Sequence, residues 1–406
     1  MGGITGHLKH PYEYAELTGT DIKNIIKDVI GGKVTMTEKI DGLNIQVYVN
    51  TNGETVFIRN NKDLNSENGG FTKFEICERW KNNPQVKGCY LFAAEQVTKA
   101  IRDLQIENFF NPGECVRYAI NMECVCRKTN VIPYASNGIY MHNIFVYNKT
   151  VNGVGWEHTD TIPLPIELER FSSPTIRMKD VELTVILEFL KRVDDILGND
   201  MTIRDYKYQW FVNWLKINDD WVLKNPDGVK YLFERWFDGQ KTVNINTIKK
   251  MYPDNVNRLT FLDGGFRYMV DKCMEPLDRL FIDFGQYIIT HCTGYINEGC
   301  ESNTMLGELM KTVDELSADE ETMMKINKHL CRMSGPIYPM EGVVFQWNGH
   351  QMKLTGNFAP FNQIMGIKRF DNKWKNTQEK QPQGFLRRFL NTVKIFLETL
   401  HLTRRS

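Results

Sequence analysis

The chain has 406 residues, 42% hydrophobic and 12% aromatic, with Lys+Arg and Asp+Glu balanced at 50 each. This is an ordinary globular composition, long enough for two or more substructures, and it excludes a uniformly basic nucleic-acid-coating protein, so any polyanion site has to be local. Nine cysteines without a CxxC pair exclude a complete disulfide framework within one chain and point to a reducing cytosol. MGGITGHLKH has no apolar signal core, and no stretch of about 18 apolar residues occurs, so neither secretion nor a membrane is expected. The expected location is the cytoplasm, a host's if the source is viral.

From Thr35 to about Tyr147 short runs rich in Val, Ile, Tyr and Phe alternate with turn formers, which predicts strands. NIQVYVNTNGETVFIRN reads as a hairpin around Asn52-Gly53, with Lys39 at its mouth. After about Pro165 the period changes: Val181, Val185, Phe189, Val193 and Ile196 share one helical face, and helical spacing continues to about Met333. Trp210, Trp214, Trp221 and Trp236 in this section read as core aromatics more readily than as base-stacking groups. Strand character returns in EGVVFQWNGHQMKLTG, around Asn348-Gly349.

The predicted organisation is therefore an α+β core of antiparallel sheets and helices built from residues 1–165 and 336–370, interrupted by a mostly helical insertion at 166–335. Residues 371–406 carry eight Lys/Arg against three acids around an apolar stripe from Phe385 to Leu400, which predicts a basic amphipathic tail helix packed on the body.

Several cofactor patterns are missing. Cys124-Val-Cys126 lacks the two-to-four-residue spacing and the second pair of a zinc site, so no zinc is expected. His7 and His10 belong to no metal motif and read as surface residues. Gly31-Gly32-Lys33 lacks the spacing of a phosphate loop.

Lys39 in TEKIDGLNIQVYV stands apart. A lysine does covalent chemistry only as the neutral amine, which requires desolvation or neighbouring positive charge. K-x-D-G alone reads more readily as a turn with a solvated lysine. Two further motifs near the C-terminal end change this, and with them the chain resembles the covalent nucleotidyltransferase superfamily, the polynucleotide ligases and mRNA capping enzymes. Lys39-Ile40-Asp41-Gly42 is similar to their nucleophile motif, Glu341-Gly342-Val343-Val344 to their fourth motif and Lys353 to their fifth, in the family's order.

The resemblance implies an ATP-grasp-like nucleotidyltransferase core in which Lys39 accepts the nucleotide. Arg59 and Lys353 contact phosphate, Asp41 and Glu341 organise a metal, Glu123 accepts from the ribose hydroxyls, and Glu38 and His142 lie beside the base. Glu95 competes with Glu123 for the carboxylate role. Where the family commonly has two lysines with one residue between, this chain has Lys353-Leu354-Thr355, so Lys368 is expected to supply the second phosphate contact. Arg59, Glu123 and His142 also have plain structural readings, as a surface arginine, a strand-edge carboxylate and a core histidine.

The implied cofactors are ATP and Mg2+, or Mn2+ in its place. The implied partner is a nucleic acid with 5′-phosphate and 3′-hydroxyl ends, RNA before DNA, with a protein partner for the helical insertion left open. The 36 residues after Phe370 are too few for the barrel that follows the core in DNA ligases and capping enzymes, which makes phage-type RNA ligases the nearer match. A guanylyltransferase, a DNA ligase and a non-catalytic relative are the alternatives.

Overall fold

The computed structural model describes residues 8–370 apart from 67, 127–129, 154, 180, 219–232, 235–274, 301–302 and 317–319. The expected tail helix, His7, Trp221 and Trp236 lie outside the described residues.

Among the described residues the strands are β1 (Met36–Lys39), β2 (Leu43–Val49), β3 (Thr55–Ile58), β4 (Val116–Val125), β5 (Gly138–Lys149), β6 (Trp156–Ile162), β7 (Thr175–Met178), β8 (Cys292–Thr293), β9 (Gly342–Trp347) and β10 (His350–Leu354). They form two antiparallel five-stranded sheets, ordered β10-β9-β1-β7-β8 and β3-β2-β4-β5-β6. Both expected hairpins are present. Val49 pairs with Thr55 around Asn52-Gly53, and Trp347 pairs with His350 across Asn348-Gly349. In the second turn both central residues have positive φ, 46° and 83°, the two-residue geometry that Asn-Gly favours.

Lys39 is not at the mouth of the β2–β3 hairpin, as the sequence suggested. It ends β1, which pairs with β9 on one side and β7 on the other, and Ile40-Asp41-Gly42 carries the chain over to the second sheet. The shorter of the two crossings between the sheets therefore lies directly beside the lysine.

The helices begin with α1 (Gly19–Ile30), capped by Thr18, whose hydroxyl accepts from the Asp21 N–H at 3.1 Å while Asp21 accepts in return. Its face of Ile22, Ile25, Ile26 and Val29 is buried against one side of the first sheet, through Met36, Ile176, Val343 and Phe345. Each such side chain contributes about 1.5–3 kcal/mol by leaving water.

Helices α2 (Asn61–Leu64), α3 (Lys73–Arg79) and α4 (Pro84–Leu104) occupy a stretch that read as strands. The pattern of α4 is present in the sequence: Cys89, Ala93, Val97 and Ile101 recur every fourth residue, with Tyr90 and Ala94 beside them, and all are buried. Asn83 caps its start, accepting from the Val86 N–H at 3.2 Å. Helix α4 closes the back of the second sheet with Ile45, Val47, Ile120 and Met122.

Residues 166–335 differ from the expected helical insertion. Strands β7 and β8 lie within that span and extend the sheet that holds Lys39. Helices α5 (Leu183–Leu197), α6 (Ile203–Asn218) and α7 (275–290) bury Phe189, Val193, Tyr206, Leu277, Phe281 and Ile288 in the same core as α1. The expected face of α5 is largely present, with Phe189 and Val193 buried and Val185 and Ile196 packed against them. Trp210 on α6 is 36% exposed rather than core.

A third apolar cluster unites α8 (Asn303–Leu316), α9 (Glu320–Leu330) and α10 (Phe358–Phe370) with Ile40, Val125, Ile132 and Tyr134, at the crossing between the sheets. No described helix is long and apolar enough to cross a membrane.

Candidate active site at the junction of the sheets

The site begins with strand register. On β1 side chains alternate, so Met36 faces the α1 core and Lys39 the opposite side. Lys39 pairs with Gly342, which puts the preceding residue, Glu341, beside it. Lys39 Nζ and Glu341 Oε1 are 2.5 Å apart. A Cβ at Gly342 would lie 2.0 Å from the Leu354 carbonyl oxygen, so only glycine lets β9 and β10 approach here. Lys353 pairs with Val344, and its neighbours Met352 and Leu354 enter the α1 core, so Lys353 shares the face of Lys39.

The second sheet supplies carboxylates. Glu123 pairs with Asn44 on β2 and Tyr140 on β5, and its Oε2 is buried without a hydrogen-bond partner. A Cβ at Gly42 would lie 2.9 Å from that oxygen and 3.0 Å from the Cys124 carbonyl oxygen, so Gly42 admits Glu123 next to the crossing. Asp41 Oδ2 accepts from the Val131 and Ile132 N–H groups at 2.7 and 2.9 Å, while the Asp41 N–H donates to Tyr134 Oη at 2.9 Å. That carboxylate ties the crossing to the segment before β5.

His142 comes from an irregularity. Asn121 pairs with Asn143 and Met122 with Met141, which leaves His142 as the extra residue of a β-bulge. Bulges re-aim side chains and recur next to active sites. His142 Nδ1 lies 3.4 Å from Ser173 Oγ.

Burial and charge act strongly here. Burial opposes the Lys39 charge, but Glu341, with Glu123 and Asp41 behind it, more than offsets this and holds the amine above its ordinary value. Burial likewise raises Glu341 against the pull of Lys39. Burial pushes Glu123 up to about 8, with Lys39 opposing and Glu341 adding to the shift. Lys353 is lowered by burial and by Lys39. His142 is lowered to about 4 by burial and then by Lys39, so it is neutral at pH 7.

The structure thus gathers Lys39, Glu341, Glu123, Asp41, Lys353 and His142. Glu38 is on the other face of β1, buried, with Oε2 accepting from the Ile296 N–H at 2.7 Å; burial pushes it up to about 7 against that hydrogen bond. The Arg59 N–H donates to Asp63 Oδ2 at 3.1 Å and its charge acts on Tyr90. Lys368 pairs with Glu315 on α8 at 2.5 Å. Neither Arg59 nor Lys368 joins the cluster through these contacts. Glu95 is exposed on α4.

Sequence reasoning missed His10. The Lys353 N–H donates to the Lys9 carbonyl at 3.0 Å, drawing the N-terminal segment along β10, and His10 Nδ1 is buried without a partner. Burial and the charges of Lys353 and Lys39 lower it to about 3. It belongs beside the two lysines, not at the surface, and its only signal is an alternation too short to read. A cleft of about 480 Å³ lined by Ile30, Gly32, Thr35, Ile176 and Lys179 lies apart from this cluster.

No protein-family model matches the chain, and no curated protein matches it. Among solved structures, two of an archaeal ATP-dependent RNA ligase are similar to it, described as form 2 and form 1, at 13% and 11% identity and a TM-score of 0.21 each. The matches cover 68% and 90% of this chain and 64% and 82% of those chains, so this chain spans less than two thirds of the first. At that similarity the chemistry of the site rests on its own residues.

Proposed function

We propose that the chain is a covalent nucleotidyltransferase that takes AMP from ATP onto Lys39 and passes it to the 5′-phosphate of a nucleic acid, RNA before DNA. One observation carries this reading: a lysine is held at the junction of two sheets, 2.5 Å from one carboxylate and beside a second, with another lysine on the same face.

Lys39 Nζ attacks the α-phosphorus of ATP. An N–P bond forms, the P–O bond to pyrophosphate breaks, and the amine proton passes to a base. Lys353 would balance charge on the phosphate oxygens, and neutral His142 would lie against the nucleoside. An oxygen of the 5′-phosphate then attacks the adenylyl phosphorus and releases Lys39. Finally a 3′-hydroxyl attacks the activated phosphate and expels AMP.

Glu341 and Glu123 offer the oxygen ligands that suit Mg2+, whereas one oxygen of Asp41 is already bound to two backbone N–H groups. When bound, Mg2+ would supply charge neutralisation at the phosphates and orient the leaving pyrophosphate. With the charge of Glu341 engaged elsewhere, burial is the strongest remaining influence on Lys39 and favours the neutral, nucleophilic amine.

The test is incubation of the purified chain with α-labelled ATP and Mg2+. An acid-stable labelled adduct is expected from the parent and none from Lys39→Ala, a fall of about a thousandfold or more. An adduct that persists in Lys39→Ala, or none in the parent, sinks the reading. Label from GTP but not ATP makes it a guanylyltransferase.

A further inference from the structure

Behind Glu123, on the other face of β4, three thiols meet. Cys124 and Cys126 are two residues apart and share a face, while α4 brings Cys89 to them. Cys89 Sγ and Cys124 Sγ are 3.4 Å apart, and all three sulfurs lie within 4.8 Å of one another. All three residues are buried.

Three sulfurs bound at about 2.3 Å around one cation stand roughly 4 Å apart, so the cluster needs only small adjustments to close on a metal. Its ligand set is purely sulfur, which selects zinc or copper(I) over hard cations such as Mg2+. We propose that Cys89, Cys124 and Cys126 form a binding site for a single thiophilic cation, Zn2+, that pins α4 to the strand carrying Glu123.

The sulfurs face one another across the helix–sheet interface instead of dispersing among Ile45, Ala93 and Met122. The Cys89 and Cys124 sulfurs each lie against the other residue's backbone carbonyl, at 3.8 and 3.6 Å. Binding displaces thiol protons to solvent. Coordination deprotonates all three thiols, and Zn2+ offsets two of the three negative charges so formed. The CxC spacing alone has no second pair, and the third sulfur comes from a helix, with Cys89 standing 35 residues before Cys124.

The test uses the full chain, purified under reducing conditions without chelators and analysed for metal. One zinc per chain is expected, released by a mercurial thiol reagent. Co2+ added to the metal-free protein should give a sulfur-to-cobalt charge-transfer band, and Zn2+ should raise its Tm. Cys126→Ser, at the least buried of the three, should lose the band and the Tm response, whereas Cys115→Ser, at an exposed cysteine, should keep both. Metal-free parent protein that takes up neither Zn2+ nor Co2+ overturns the proposal without reference to any variant, as does Cys126→Ser binding like the parent. Adenylyl transfer is not part of the readout, so this test and that of Lys39 fail separately.

Discussion

At the residue scale, Lys39 is governed by two opposed influences. Burial favours the neutral amine and Glu341 favours the ammonium. Glu341→Gln removes the larger raising influence, so the pH midpoint of single-turnover adduct formation should move down, while the rate falls about a hundredfold through lost charge organisation. An unchanged or higher midpoint would mean that Glu341 does not set the state of Lys39.

Glu38 gives an independent pH effect. Its folded-state pKa, about 7, lies above its ordinary 4.5, so the protonated form contributes stability that is fully present below about 4.5 and is lost as pH rises through 7. Glu38→Gln should flatten the fall in Tm over that window, as a pH series by differential scanning calorimetry would reveal. His142 has the opposite sign: its folded-state pKa of about 4 is below its ordinary 6.5, so stability is lost as pH falls through that range.

Lys39, Glu341 and Lys353 are singled out in the sequence by the resemblance of their motifs, while alternation and the Asn348-Gly349 turn fix only the pairing of β9 with β10. His10 and the thiol cluster are not legible in the sequence. Each depends on a contact between distant segments, and local periodicity encodes neither the strand that α4 packs on nor the strand that the N-terminal segment runs along.

At the element scale, glycine separates the strands of the site from the helix behind it. Gly342→Ala would drive a methyl group into the Leu354 carbonyl and part β9 from β10, at a cost of about 3 kcal/mol. Gly88 lies exposed within α4, and no atom stands within 4 Å of where its Cβ would be. Gly88→Ala should therefore stabilise the chain by about 0.5–1 kcal/mol through helix propensity. Urea titration of the two variants should give shifts of opposite sign. A loss at Gly88 would contradict the helix that periodicity in this stretch supports.

At the scale of the whole molecule, helices α5, α6 and α7 of the segment expected to be an insertion belong to the first core, while α8 and α9 join the cluster at the crossing. Ile26 on α1 and Ile288 on α7 are both fully buried in that first core. Truncating either to alanine should cost about 2–5 kcal/mol and lower one shared unfolding transition. Two transitions, only one of which responds to Ile288→Ala, would instead restore a separate helical domain. The sequence shows the change of period near Pro165 but not this union. β7 and β8 are too short for alternation to register, and β7 pairs with β1, far back along the chain.

The bulge at His142 has a further consequence, for deletion tolerance. Asn143 and Met141 already face consecutive residues of β4, so removing His142 would heal the ladder and leave the register intact on both sides. Removing Phe145, inside a regular stretch, would turn one half of the strand inside out. A deletion scan along β5 should therefore yield folded protein at 142 and lose it at 145. The imidazole is carried by a residue that the sheet can spare, so this position can vary in kind, or vanish, without the scaffold registering the change.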